Sequence, residues 1–187
     1  EEMSRHGTFY DPTLSVVEAF NELAAGKTDL LKRSLVQQVA PPELLQGTEK
    51  AMSSDETKAL RTSIAQYPID MSVAIDNLKR ARQHGVVLVT GTDAGNYLVI
   101  HGPTVQHELQ LWVHAGIPPA LALQAATLNA ARLLRIDSHA GSIRRGNDAD
   151  LLVVDGNPLD DISATERISL VVFKGERIER TDLFDQH

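Results

Sequence analysis

The spacing of apolar positions along this chain alternates between helical and strand-like periods, and the changes of period mark out its elements. Residues 8–17 (TFYDPTLSVV) are rich in β-prone side chains and contain Pro12, which predicts a short strand with a turn at its entry. Residues 18–25 read as a helix that stops near Gly26. Residues 28–46 predict another helix, with Asp29 near its start and Pro41-Pro42 ending it. Ser53-Ser54-Asp55-Glu56 offers capping chemistry for a helix from about Glu56. Val73, Ile75, Leu78 and Ala81 fall near helical spacing over 72–84, and Gly85 is placed to end that helix. Residues 86–89 (VVLV) are uninterrupted and apolar, the pattern of a buried strand. Residues 104–115 are amphipathic, with a stripe of Val105, Leu109, Trp112 and Val113 and a stop at Gly116. Pro118-Pro119 opens a helix over 119–134, whose ALALQAATLNAARLL is rich in strong helix formers.

The tail changes character. Residues 141–143, 149–155, 169–174 and 176–179 predict short strands, parted by turns at Arg145-Gly146-Asn147, Gly156-Asn157-Pro158 and Lys174-Gly175. Strand–helix alternation followed by an all-β tail predicts an α/β unit over 1–138 and a small sheet over 139–187. A mostly helical insertion at about 19–84 is long for one crossover and suits a lid.

Composition narrows the classes. The chain has 187 residues, enough for a sizeable core, and a net charge of −7 with no Lys/Arg cluster, which argues against a nucleic-acid surface. It has no cysteine, so disulfides, thiolate nucleophiles and cysteine-ligated zinc are excluded, and a cytoplasmic protein is expected. No apolar run reaches the length of a membrane span, and no signal peptide opens the chain. The first residue is Glu, so a piece of a longer protein is expected.

The chemistry concentrates after the 86–89 strand, in Thr90-Gly91-Thr92-Asp93-Ala94-Gly95. A buried strand that delivers a carboxylate to its C-terminal tip places it where barrel enzymes keep their chemistry, so Asp93 is the leading candidate for catalysis and metal binding. A turn-bonding or capping Asp is the plainer alternative. Asn96, Tyr97 and His101 share the following loop and are the candidate substrate contacts, against ordinary loop or capping roles. His107 and Glu108 are adjacent, so one is expected to face inward and the other solvent, with Glu108 anchoring backbone or a basic partner rather than doing chemistry. His107 and His114 lie two turns apart, roughly 10 Å along a helix axis, too far to share an ion. Thr127 and Asn129 read as helix-shaping residues. Asp148 and Asp150 point to one face of a strand, and Asp160-Asp161 reads as a turn or cap. Ser15 and Ser63 fit no Ser–His–Asp logic, and the 91–95 glycines match neither dinucleotide nor P-loop spacing.

Taken together, GTDAG at 91–95, HGPTVQHELQLWVHAGIPPALALQAATLNAARLL at 101–134, GSIRRGNDADLLVVDGNPLDDI at 141–162 and VVFKGERI at 171–178 resemble, in that order, the C-terminal portion of the amidohydrolase superfamily. The nearest branch is the imidazolonepropionase-like and Xaa-Pro-dipeptidase-like metal-dependent hydrolases, and RHGTFYDPTLSV also resembles it. The resemblance implies the C-terminal part of a (β/α)8 TIM-like barrel followed by strands of a small β-sandwich. It makes Asp93 the metal-contacting Asp that takes a proton from metal-bound water, the metal being divalent and most often zinc. The family's His-x-His pair is absent, and His6 falls after the last histidine ligand of the pattern. The chain alone is therefore expected to be inactive. The parent would hydrolyse an amide, cyclic amide or dipeptide bond of a small-molecule substrate, with the missing N-terminal half, or self-association, covering exposed surface. The alternative is a non-catalytic interaction module on a partial fold of the same kind.

Overall fold

The computed structural model describes residues 1–66 and 68–179; residues 180–187, the end of the expected tail unit, lie outside the described residues. After helix α1 (Glu2–Arg5), strand β1 (Phe9–Tyr10) lies parallel to strand β2 (Val87–Leu88), with Phe9 opposite Val87 and Tyr10 opposite Leu88. The Val89 N–H donates to the Tyr10 carbonyl at 3.0 Å and extends the ladder. Parallel strands need a long crossover. Here it is helical: α2 (Leu14–Ala25), a 3-10 turn (Asp29–Lys32), α3 (Ser34–Val39), α4 (Pro42–Met52), α5 (Asp55–Gln66) and α6 (Met71–Gln83). Because β1 and β2 run the same way, their C-terminal tips, Asp11 and the 90–95 loop, open on one side.

Helix α2 joins two apolar clusters. Its Val16, Ala19 and Leu23 pack with Leu30, Leu31 and the buried Leu98, Val99 and Ile100 of the loop beyond β2. Its first residue, Leu14, packs with Leu78, Leu88, Trp112 and Ile117. Leu14, Leu23 and Leu78 are fully enclosed, each worth about 1.5–3 kcal/mol relative to exposure. The loop that carries Asp93 is thus tied to the core at its far end by Leu98, Val99 and Ile100.

The second half runs through α7 (Thr104–His114), then α8 (Pro119–Gln124), a π-helical turn (Ala125–Asn129) and α9 (Ala130–Leu133). Strands β3 (Leu151–Val154), β4 (Ile168–Phe173) and β5 (Glu176–Ile178) form an antiparallel sheet in that order, with a 3-10 turn (Ile162–Glu166) between β3 and β4. Lys174 and Gly175 both have positive φ, 51° and 83°, which matches the twist a two-residue hairpin needs. Ile162 reaches into the Trp112 cluster, and Arg33 pairs with Glu166, so the start of the tail packs on the helical unit. Among the described residues no helix is long and apolar enough to cross a membrane.

Several expectations are corrected. The 8–17 strand shrinks to two residues, because Pro12 supplies no N–H, Thr13 turns into the left-handed region at φ 44°, and Leu14 opens a helix despite Val16 and Val17. The 28–46 helix is three pieces, and Pro41-Pro42 starts α4 rather than ending a helix, since proline fits the first turn where no N–H partner is needed. Residues 141–143 are not a strand, and Ile143 is 90% exposed. Val105 leaves the apolar stripe of α7, being 40% exposed. Ser54 caps α5 through the Thr57 N–H at 3.1 Å, and Asp70 caps α6 through Ser72.

Candidate functional site

The β2 run buries Val86, Leu88, Val89 and Thr92, and the next residue, Asp93, faces solvent. Asp93 has φ 54°, in the left-handed region, a backbone state of order 1–3 kcal/mol above the ordinary ones for a side-chain-bearing residue. Hydrogen bonds lock the loop around it. Asn96 Nδ2 donates to the Asp93 carbonyl at 3.0 Å, the Gly95 N–H to Val99 at 3.0 Å, and the Val99 N–H to Asn96 at 3.1 Å. The His101 ring lies over Gly95, where a Cβ would sit 3.5 Å from Nε2.

The structure brings three of the four expected site residues into one cavity. Asn96, Tyr97 and His101 line a cleft of about 390 Å³, faced by Glu43, Leu44 and Gly47 of α4. That size suits a small ligand. Asp93 is not among the lining residues; it stands two residues before Gly95, at the cleft's edge.

A second carboxylate at the shared tip was missed. Asp11 directly follows β1 and accepts the Gly91 N–H at 2.9 Å. A Cβ on Gly91 would lie 2.1 Å from an Asp11 carboxylate oxygen, so a side chain there would push that carboxylate aside. Partial burial pushes the Asp11 carboxyl above its usual value, and the nearby Asp93 charge adds to this, while the Gly91 and Thr13 N–H groups pull it back. The signal was present: Phe9-Tyr10-Asp11 is an apolar strand ending in Asp, a short version of the 86–93 pattern. A raised folded pKa means the Asp11 contribution to stability is complete below the unfolded value, 3.8, and is lost as pH rises through the folded value. Asp11→Asn, whose amide oxygen still accepts the Gly91 N–H, is therefore expected to raise the melting temperature at pH 7 and not at pH 3. Paired thermal melts check this; an equal shift at both pH values contradicts it.

Behind the tips, both His107 and Glu108 are buried, against the expectation that one faces solvent. The α7 face turns between α2 and the tip loop, so both neighbours find polar partners inside. His107 Nε2 bonds Glu18 of α2, and Glu108 takes backbone N–H groups, the anchoring role expected of it. His114 is exposed. Asn129, in the π-helical turn, donates to the Leu88 carbonyl at 2.9 Å and fixes β2 from below. Asp161 caps the 3-10 turn, and Asp150 accepts the Lys174 N–H at 2.7 Å, away from Asp93 in the tail sheet.

The model of the Amidohydrolase family matches residues 2–178. The chain belongs to that family. Ochratoxinase of Aspergillus niger is 29% identical over 184 residues, 95% of this chain and 30% of that protein. Adenine deaminase of Geobacillus kaustophilus is 40% identical over 75 residues, 40% of this chain and 12% of that protein. The crystal structure of a Xaa-Pro dipeptidase with bound methionine in the active site superposes with a TM-score of 0.64 at 29% identity, covering 95% of this chain and 36% of that one. This amidohydrolase chain thus spans about a third of the length of its full-coverage relatives. Family members are generally metal-dependent. Among the described residues no three His, Cys, Asp or Glu side chains lie together as a metal site. Asp11 and Asp93 are the acidic groups at the strand tips, and the donors among the described residues do not by themselves fit a divalent ion.

Proposed function

We propose that this chain is the C-terminal portion of a metal-dependent amidohydrolase that splits C–N bonds, in an amide, a cyclic amide or a dipeptide. The observation that carries the reading is an exposed Asp93 held in a left-handed backbone state at the common tip of two parallel strands, beside a cleft lined by Asn96, Tyr97 and His101. In this reading residues 1–138 are the last part of a (β/α)8 barrel, with the 19–84 helices as an insertion whose α4 walls the cleft. Residues 139–187 are strands of a β-sandwich. The remaining ligands of a divalent ion, zinc for preference, come from outside these residues, and the ion would supply an activated water. Asp93 accepts the proton of the attacking water. Asn96, Tyr97 and His101 hold the substrate, and truncating one of them removes binding without removing the proton acceptor.

The test uses the full-length protein, zinc-loaded, against panels of dipeptides, N-acyl amino acids and cyclic amides, with release of free amine or acid as the readout. Turnover of one panel supports the reading, and no turnover of any overturns it. On the best substrate, His101→Ala is expected to raise KM about tenfold or more with kcat within a few-fold. A lower kcat at unchanged KM would remove His101 from substrate binding.

One observation favours a second reading, a non-catalytic interaction module. Ile143, Leu152 and Phe173 of the tail are 90%, 50% and 52% exposed, open to a covering partner. Either the missing N-terminal half or self-association would cover them. An inactive full-length protein that binds no metal would favour this module.

A further inference from the structure

Glu108 is a fully enclosed carboxylate at 0% exposure, and its three N–H donors come from two distant parts of the chain. The Leu14 N–H lies 2.8 Å from Oε1, the Ser15 N–H 2.6 Å from Oε2, and Trp112 Nε1 2.8 Å from Oε1. Leu14 and Ser15 open α2, and Thr13 before them gives no side-chain cap. The first turn of α2, buried away from water, is therefore capped by a carboxylate more than ninety residues away in sequence. Burial pushes the Glu108 carboxyl up, and these donors, together with the Ser15 hydroxyl beside it, work against that rise.

Two links run from the capped turn to the tip that carries Asp93. Asp11, three residues before Leu14, holds the Gly91 N–H at 2.9 Å. The Ser15 hydroxyl donates to the Thr92 carbonyl at 3.3 Å. Gly91 and Thr92 are the two residues that precede Asp93. We propose that Glu108 is a positioning residue for the reaction: it fixes the start of α2 and, through Asp11 and Ser15, the backbone that presents Asp93. This rests on Asp93 being the proton acceptor. A carboxyl group with two oxygens is what the place requires. Two aligned N–H groups and the positive end of a helix favour an anion, and a carboxylate has an oxygen for each donor. A glutamine there offers one oxygen and turns an NH2 toward the other N–H. The tip then loosens, and a displacement of about 1 Å at a reacting group costs on the order of a hundredfold in rate.

The experiment compares Glu108→Gln, Ser15→Ala and the double variant in the full-length protein. It reads kcat and KM on the panel substrate, melting temperature, and hydrogen exchange of a peptide covering 90–97. A peptide covering 168–178 reports general loosening. Glu108→Gln is expected to lower kcat about tenfold or more with KM within about twofold. Ser15→Ala is expected to lower kcat about threefold with the fold retained and a modest fall in melting temperature, and the double variant to lose no more than Glu108→Gln, because both act on one path. Exchange is expected to rise at 90–97 and stay put at 168–178. Exchange that rises in both peptides together, or rate losses that multiply, assigns Glu108 a general structural role and overturns the inference. If Glu108→Gln does not fold, Ser15→Ala decides: faster exchange at 90–97 in a folded protein supports the path, and unchanged exchange breaks it. If Asp93→Asn proves fully active, the assignment of Asp93 fails, while exchange at 90–97 still decides whether Glu108 sets the tip.

Discussion

Asp93→Asn is expected to lower kcat for C–N hydrolysis by about 10²–10⁴-fold, the range for loss of a positioned proton acceptor. The substitution is nearly isosteric. Asn also tolerates the left-handed backbone state that Asp93 occupies at φ 54°, so the loop keeps its shape. The Asn96 bond to the residue 93 carbonyl does not involve the side chain and survives. What is lost is the negative charge and the ability to take a proton. Steady-state kinetics on the full-length protein, with thermal melts to confirm the fold, read the result. Activity within a few-fold of the original would remove Asp93 from the chemistry.

Trp112→Ala is expected to have the largest effect on stability. Trp112 is the chain's single tryptophan, has 0% exposure, and packs with Leu14, Leu88 and Ile117 at the junction of α2, β2 and α7. Truncating a buried tryptophan costs about 3–5 kcal/mol. It also removes one of the Glu108 donors, adding about 1–3 kcal/mol for a buried acceptor left short. Against a total stability of about 5–15 kcal/mol, that is enough to unfold much of the population at 37 °C. Trp112→Phe keeps most of the volume and loses only the donor, so it separates the two costs. Urea titration followed by circular dichroism, which does not depend on the lost fluorophore, measures both. A midpoint for Trp112→Ala close to that of the original protein would contradict the packing described.

The readable parts of this chain were those decided locally. Gly85 and Gly116 end their helices at φ 68° and 90°, the backbone states that favour glycine. Lys174-Gly175 makes the hairpin its spacing suggested. The run at 86–89 is the strand, and of the residues after it Asn96, Tyr97 and His101 line one cleft, while Asp93 stands outside that lining. What was hidden depends on partners far along the chain. Nothing near Leu14 says that its N–H meets a carboxylate 94 residues on, so 8–17 read as a strand when most of it is turn and helix. Pro41-Pro42 carries the same local signal whether it closes one helix or opens the next, and the packing of α4's own Leu45 and Met52 into the first apolar cluster decides it. The adjacent His107 and Glu108 could both go inside because α2 offers Glu18 to one and its own first turn to the other. Asp11 was legible and overlooked, because its strand is only two residues long.

The most direct test of the central claim is metal content. Elemental analysis would be run on residues 1–187 alone, on the full-length protein, and on full-length Asp93→Asn. The account predicts far less than one ion per molecule in 1–187, about one or two divalent ions in the full-length protein, and a clear fall when Asp93 becomes Asn. A stoichiometric ion held by residues 1–187 alone, or a full-length protein whose metal content ignores Asp93, would contradict it.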